Sequence, residues 1–150
     1  MTEAALFALP LLTGVGLVAI AQPDGRRGVC NVTPRLQPPG WVFSVVWPIL
    51  YLMLGAALVL VWRSKHVPTL IALLGGIIGL QAWWWIFSSA CRPAAAFLSL
   101  AALAAFFGIF AINQIPNNPR VALLLAPLVA WCSFATYLSY QIWVGDIHDK

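Results

Sequence analysis

Charged side chains are scarce in this chain, and they all lie near the termini or between long apolar segments. Only 8% of the residues are Asp, Glu, Lys or Arg, whereas 62% are hydrophobic. A water-soluble domain needs a polar surface, which this composition cannot supply. The pattern suits a bilayer instead, where apolar side chains face lipid and backbone groups pair within helices. The sequence therefore predicts a multi-pass integral membrane protein.

Cysteine is also sparse, and its placement indicates neither a disulfide framework nor a metal centre. Cys30, Cys91 and Cys132 are scattered without paired spacing, which is typical of free thiols. The two histidines, His66 and His148, lie at the edges of apolar segments, where they are poorly placed to ligate iron. We therefore expect no metal site and no obligatory cofactor.

Acidic residues are absent from the interior of every apolar segment, and this absence argues against proton-coupled transport. Glu3, Asp24, Asp146 and Asp149 are all peripheral. A proton-coupled exporter is expected to carry a carboxylate or histidine inside a span, so that class is disfavoured, although facilitated passage stays open. The net charge of +4 comes from basic residues scattered near helix ends. This distribution fits membrane anchoring, and we expect no nucleic-acid partner.

Five apolar segments are each long enough to cross a membrane, because a hydrocarbon core of about 30 Å takes roughly 20 helical residues. They predict an all-α membrane protein, a single-domain bundle of five transmembrane helices. The predicted spans are residues 4–21, 41–62, 68–89, 94–112 and 121–144. Ala19-Ile20-Ala21 resembles a signal-peptidase site, but the start of the chain carries Glu3 and no basic region. We therefore assign the first segment as a retained helix.

The long first loop, residues 22–40, is rich in Pro, Gly and Arg. Its prolines prevent a regular helix, and we interpret it as a lid over one mouth of the bundle, with an inert connector as the alternative. Basic residues favour a cytoplasmic location for this loop and the C-terminus. That side carries Arg26, Arg27, Arg35, Arg92 and Lys150, against Arg63, Lys65 and Arg120 on the other. We expect the host membrane to be a bacterial cell envelope or an organellar membrane such as the mitochondrial outer membrane.

Aromatic residues recur along the second and fifth spans. Phe43, Trp47 and Tyr51 follow one another at steps of four, and Pro48 is expected to kink the helix beside Trp47. In the fifth span Pro127 is expected to produce a similar bend before Trp131. Two bent helices, each with a mid-span Trp, predict a flat apolar cavity inside the bundle. The alternative is that these rings only fill the core.

The third and fourth spans carry small residues and one buried polar group. Gln81 is the long polar side chain deep in the third span, and we expect it to point inward toward a partner or ligand. Gly75 and Gly79 form a GxxxG pair, which predicts close helix packing. In the fourth span a smooth strip is predicted to pack within the bundle or between two copies of the chain. The strip comprises Ala101, Ala105, Gly108 and Ile112.

Two stretches give the chain a family resemblance. The first is Pro34 with PPGWVFSVVWPILY (Pro38–Tyr51), and the second is PLVAWCSFATYLSYQIW (Pro127–Trp143). Both resemble the TspO/MBR family of tryptophan-rich sensory proteins, translocator proteins and peripheral benzodiazepine receptors. Gln81 stands where that family usually has Asn, so the resemblance is to a divergent member.

The resemblance implies a five-helix bundle, a homodimer, and a ligand pocket that opens toward the first loop. It implies binding of porphyrins such as protoporphyrin IX, with a transport, sensing or regulatory role. Trp47 and Trp131 would stack on the porphyrin faces, and Arg26, Arg27 and Arg35 are candidates to pair with its carboxylates. By matched position the pocket would be lined by Phe43, Trp47, Tyr51, Trp84, Trp131, Phe134, Ala135 and Leu138.

Several functions remain open at this point. The resemblance also implies light-dependent porphyrin breakdown, so an enzyme is possible, although we favour a binding or transport protein. A sterol or small-molecule facilitator is another alternative. The sterol-linked pattern is incomplete, because Leu138 and Tyr140 are followed by a basic residue only at Lys150. A purely structural dimerising protein is the last alternative.

Overall fold

The computed structural model describes residues 2–21, 36–89 and 92–148. Within these residues the chain forms five α-helices, which confirms the all-α prediction. The helices are α1 (Glu3–Ala21), α2 (Gly40–Arg63), α3 (Val67–Ser89), α4 (Pro93–Gln114) and α5 (Pro119–His148). Each predicted span lies inside one of these helices.

Four of the helices in the described part, α2 to α5, are long and apolar enough to cross a membrane. In α1 the apolar stretch of this kind is shorter, Glu3–Gly14. The prediction of a multi-pass membrane protein is thus supported, with four of the five predicted spans meeting the length expected for a crossing. Pro10, Pro48 and Pro127 lie inside α1, α2 and α5, and the kinks predicted at the last two remain predictions.

The helices pack side by side in a closed ring, in the order α1, α2, α5, α4, α3, and α2 also contacts α3 across it. The ring brings α2 and α5 together although they are distant in sequence. The centre is filled by side chains with no exposed surface, among them Leu54, Leu58, Leu73, Leu100 and Leu125. At one end Arg63 Nε donates a hydrogen bond of 2.9 Å to Glu3 Oε1, so the start of α1 lies beside the end of α2.

Close helix packing depends on particular glycines. Gly55 lies against the backbone of α1, since a Cβ there would be 2.1 Å from the carbonyl oxygen of Phe7. On α3 the prediction of a Gly75/Gly79 contact pair is wrong for Gly75, whose Cβ would have no neighbour within 4 Å. Gly76 and Gly79 are the tight positions, where a Cβ would meet side chains of α4. The packing face of α3 therefore includes Gly79, as the GxxxG spacing suggested, but continues to Gly76 in place of Gly75.

The predicted strip on α4 is divided between two environments. Gly108 is partly buried, and a Cβ there would lie 3.8 Å from Val129 of α5. Ala105 and Ile112 are exposed on the outer face of α4. Part of the strip thus packs within the bundle, and the rest faces outward.

Candidate ligand-binding site

An open apolar groove of about 470 Å³ lies between α2 and α5. Its lining contains no charged residue, and two of the eight residues are aromatic. The lining residues are Val46, Ile49, Leu50, Met53, Pro127, Ala130, Trp131 and Phe134. Because Ile49 is 51% exposed, the groove opens on the outer surface of the bundle, at the middle of the two helices.

Each wall of the groove follows the same spacing. On α2 the lining residues are 46, 49, 50 and 53, and on α5 they are 127, 130, 131 and 134. Residues at i, i+3, i+4 and i+7 share one face of an α-helix, so each helix contributes one continuous apolar face. The aromatic content of α5 identified its wall from the sequence. The aliphatic wall on α2 carried the same period but was overlooked, because Val, Ile, Leu and Met are common in any membrane span.

Trp131 is the most distinctive side chain of the groove. Its ring meets Phe43 edge-on at a centroid distance of 5.5 Å and lies 5.6 Å from Phe134. Its indole Nε1 is buried and, among the described residues, has no hydrogen-bond acceptor. Of the predicted site residues, Trp131 and Phe134 therefore line the groove and Phe43 flanks it.

Trp47 and Tyr51 belong to a different aromatic cluster, on the α3 side of α2. Trp47 lies 5.7 Å from Tyr51 and 5.8 Å from Trp83 between ring centroids. The cause is helix geometry: each step of four residues rotates the side chain by about 40°, so a stripe spaced by four drifts around the helix. Phe43 faces α5, whereas Tyr51 lies where a Cβ on Gly14 of α1 would meet its ring.

The three consecutive tryptophans of α3 occupy three environments. Trp83 is buried and its Nε1 donates a 3.1 Å hydrogen bond to the carbonyl oxygen of Ala96. Trp84 is partly buried and packs against Phe87, and its Nε1 is buried without an acceptor in the described part of the chain. Trp85 is 51% exposed. The sequence selected Trp84 by matched position, whereas Trp83 is the ring that contacts Trp47.

Gln81 is buried between α3 and α1, in agreement with the expectation that it points inward to a partner. Its Nε2 donates a 3.1 Å hydrogen bond to Thr13 Oγ1. Thr13 Oγ1 in turn donates to the carbonyl oxygen of Leu9 at 2.8 Å. The Gln81 Oε1 is buried and has no hydrogen-bond donor among the described residues. Thr13 was not identified from the sequence, because a hydroxyl in a membrane helix commonly bonds only to its own backbone.

The remaining predicted site residues lie apart from the groove. Ala135 and Leu138 are buried, and Ala135 is packed in the hydrophobic core that also contains Cys132. Arg26, Arg27 and Arg35, together with most of the predicted lid, lie outside the described residues. Across the described ranges, no group of three or more His, Cys, Asp or Glu side chains is arranged to hold a metal ion.

Comparison with known proteins places this architecture in a family. The sequence model of the TspO/MBR family matches residues 6–144. A tryptophan-rich protein TspO from Chlorobaculum tepidum is 31% identical, over 95% of this chain and 94% of its own length. The translocator protein of sheep is 27% identical over 91% of each chain. The human translocator protein is 30% identical, over 73% of this chain and 69% of its own.

Proposed function

Because this chain belongs to the TspO/MBR family, we propose that it binds flat lipophilic molecules, including porphyrins of the protoporphyrin IX type, in the groove between α2 and α5. Binding there serves a transport, sensing or regulatory role in the membrane. The observation that carries the proposal is the groove itself, an apolar cavity of about 470 Å³ whose wall contains the rings of Trp131 and Phe134.

The size and chemistry of the groove favour a lipophilic guest. Small-molecule sites are typically about 300–1,000 Å³ and mostly apolar, with a few polar groups that fix orientation. The groove falls in this range and opens at mid-height of two membrane helices. A ligand dissolved in the bilayer can therefore enter sideways, without crossing an aqueous phase.

Trp131 favours a ring-bearing ligand over a lipid chain. An offset aromatic contact contributes about 0.5–1.5 kcal/mol beyond the area buried. A saturated acyl chain cannot make this contact. Porphyrins carry an extended ring, and their carboxylates would extend toward the arginines of the first loop.

The membrane arrangement is part of the proposal. The 19 residues of α1 extend over about 28 Å at 1.5 Å per residue, close to the hydrocarbon thickness. We therefore propose α1 as a fifth span, with the first loop and the C-terminus in the cytoplasm as the basic residues favour. The exposed part of the α4 strip is proposed as a contact between two copies of the chain.

Titration of the detergent-solubilised protein with protoporphyrin IX, followed by porphyrin absorption, tests the proposal. We expect saturable binding that weakens by up to about tenfold in Trp131→Phe, because the smaller ring loses up to about 1.4 kcal/mol of aromatic contact with the ligand. The matched control is Trp143→Phe, on the same helix. Trp143 stacks on Phe97 at 5.5 Å, away from the groove, so its variant should bind like the unmodified protein.

Two results would contradict this assignment. Equal affinity for protoporphyrin IX in the Trp131 and Trp143 variants would show that Trp131 does not contribute to ligand binding. Absence of saturable binding for protoporphyrin IX and for other flat lipophiles, such as cholesterol, would leave a structural role for the tryptophans.

A further inference from the structure

A second cavity, of about 440 Å³, lies at the opposite end of α2 from the first loop, where α1 begins, α2 ends and α3 begins. Its wall combines ionisable and apolar side chains, including Glu3, Trp62, Arg63, Lys65, His66 and Val67. Trp62 and Val67 are 40% and 59% exposed. The cavity therefore sits at the end of two membrane-length helices, at the level where lipid headgroups meet the protein.

The charge of Arg63 is already compensated within this cavity. Its guanidinium donates from Nε and from a second nitrogen to the two carboxylate oxygens of Glu3. Such a two-point pair fixes the direction of the guanidinium and neutralises the acid. Glu3 consequently does not compensate the neighbouring lysine.

Lys65 is the second cation of this cavity, and it is not paired with an acid among the described residues. The Arg63–Glu3 pair accounts for the acid in this cavity. Its backbone has φ 57°, in the left-handed region. Its N–H bonds to the carbonyl oxygen of Trp62 at 3.1 Å, which closes the end of α2. Glycine is the residue that suits this helix-terminating position, because any Cβ there is strained.

His66 adds a second donor beside Lys65. Its Nδ1 lies 2.7 Å from Thr69 Oγ1 and accepts from the Thr69 backbone N–H at 3.4 Å. Since Nδ1 acts as an acceptor in this arrangement, the tautomer assigned from the hydrogen bonds carries its proton on Nε2. The imidazole thus caps the start of α3 and keeps Nε2–H available to donate.

We propose that this cavity binds the phosphodiester headgroup of an anionic membrane phospholipid, with Lys65 as its charged ligand and His66 Nε2–H as a supporting donor. The exposed Trp62 and Val67 contact the adjoining lipid chain. The charge complementarity and the interfacial position favour a lipid over a soluble phosphate. The strained backbone at Lys65 is tolerated because its ammonium group serves this contact. The site is separate from the groove between α2 and α5.

Native mass spectrometry of the full chain with phosphatidylglycerol, phosphatidylcholine or inorganic phosphate tests the proposal. We expect phosphatidylglycerol to be retained preferentially, and this retention to fall about fivefold in Lys65→Gly and Lys65→Gln. Lys65→Arg should keep it. In lipid-free detergent Lys65→Gly should unfold at a temperature equal to or above that of the unmodified protein, because glycine relieves the left-handed strain.

The matched control is Arg120→Gln, which removes an exposed cation at the start of α5, outside the cavity. It should retain phosphatidylglycerol like the unmodified chain. Equal losses in the Arg120 and Lys65 variants would overturn the proposal in favour of general surface charge. Undiminished retention in Lys65→Gly would also overturn it. Equally strong retention of inorganic phosphate would identify a site for free anions, contrary to the proposed lipid.

Discussion

Replacing Gly55 with Ala is expected to lower the free energy of unfolding by about 3 kcal/mol, the upper end of the usual cost of overpacking. The added Cβ would lie 2.1 Å from the carbonyl oxygen of Phe7 and 3.2 Å from the Phe7 Cα. Both atoms are backbone, so no side-chain rotation relieves the overlap. The helix α1 must move away from α2, and contacts along their whole interface are weakened.

The matched control for this prediction is Gly75→Ala on α3. A Cβ at Gly75 meets nothing within 4 Å, so the only expected effect is a gain in helix propensity of up to about 1 kcal/mol. Unfolding in detergent, followed by near-ultraviolet circular dichroism, compares the two variants. A Gly55→Ala protein as stable as Gly75→Ala would show that α1 and α2 do not approach as closely as described.

Ala130→Phe is expected to block the groove without disturbing the core. Ala130 is exposed and lines the groove next to Trp131. A ring in that position occupies the space of the ligand, and forcing a guest against it costs about 2 kcal/mol or more. That cost corresponds to roughly a 30-fold loss of affinity for protoporphyrin IX. The unfolding temperature should stay unchanged, because the new ring replaces lipid contact and no buried side chain moves.

The control for the groove variant is Ala102→Phe, an exposed position on the outer face of α4. It adds the same ring to an exposed face of the bundle outside the groove and leaves the groove open. Comparable porphyrin affinity in the Ala130 and Ala102 variants would place the ligand elsewhere in the bundle.

Hydropathy alone predicted the helices, because the bilayer requires long apolar segments with charges at their ends. The sequence also predicted that Gln81 has a hydrogen-bond partner, since an amide buried among apolar helices needs one. The sequence did not identify Thr13 as that partner. Which helix packs against which depends on the order of the five helices around the bundle. The period of a sequence shows which face of a helix is apolar, but not which helix lies against that face.

The contacts of the aromatic rings were likewise not predictable from the spacing of the residues alone. Phe43, Trp47 and Tyr51 looked like one stripe, but the drift of about 40° per step turns Phe43 toward Trp131 and Trp47 toward Trp83. Three consecutive tryptophans had to face different directions, yet only packing against α4 determined that Trp83 is the buried one. Likewise Gly76, rather than Gly75, meets α4 because the rotation of α3 is set by its partners.

Photocrosslinking with a photoreactive porphyrin, followed by mapping of the labelled peptides by mass spectrometry, tests the position of the ligand most directly. The expected labels fall on residues 46–53 of α2 and 127–134 of α5, the two walls of the groove. An excess of unlabelled protoporphyrin IX should remove them. Labels concentrated on the outer face of α4, or labels on the groove that unlabelled porphyrin does not displace, would contradict the account.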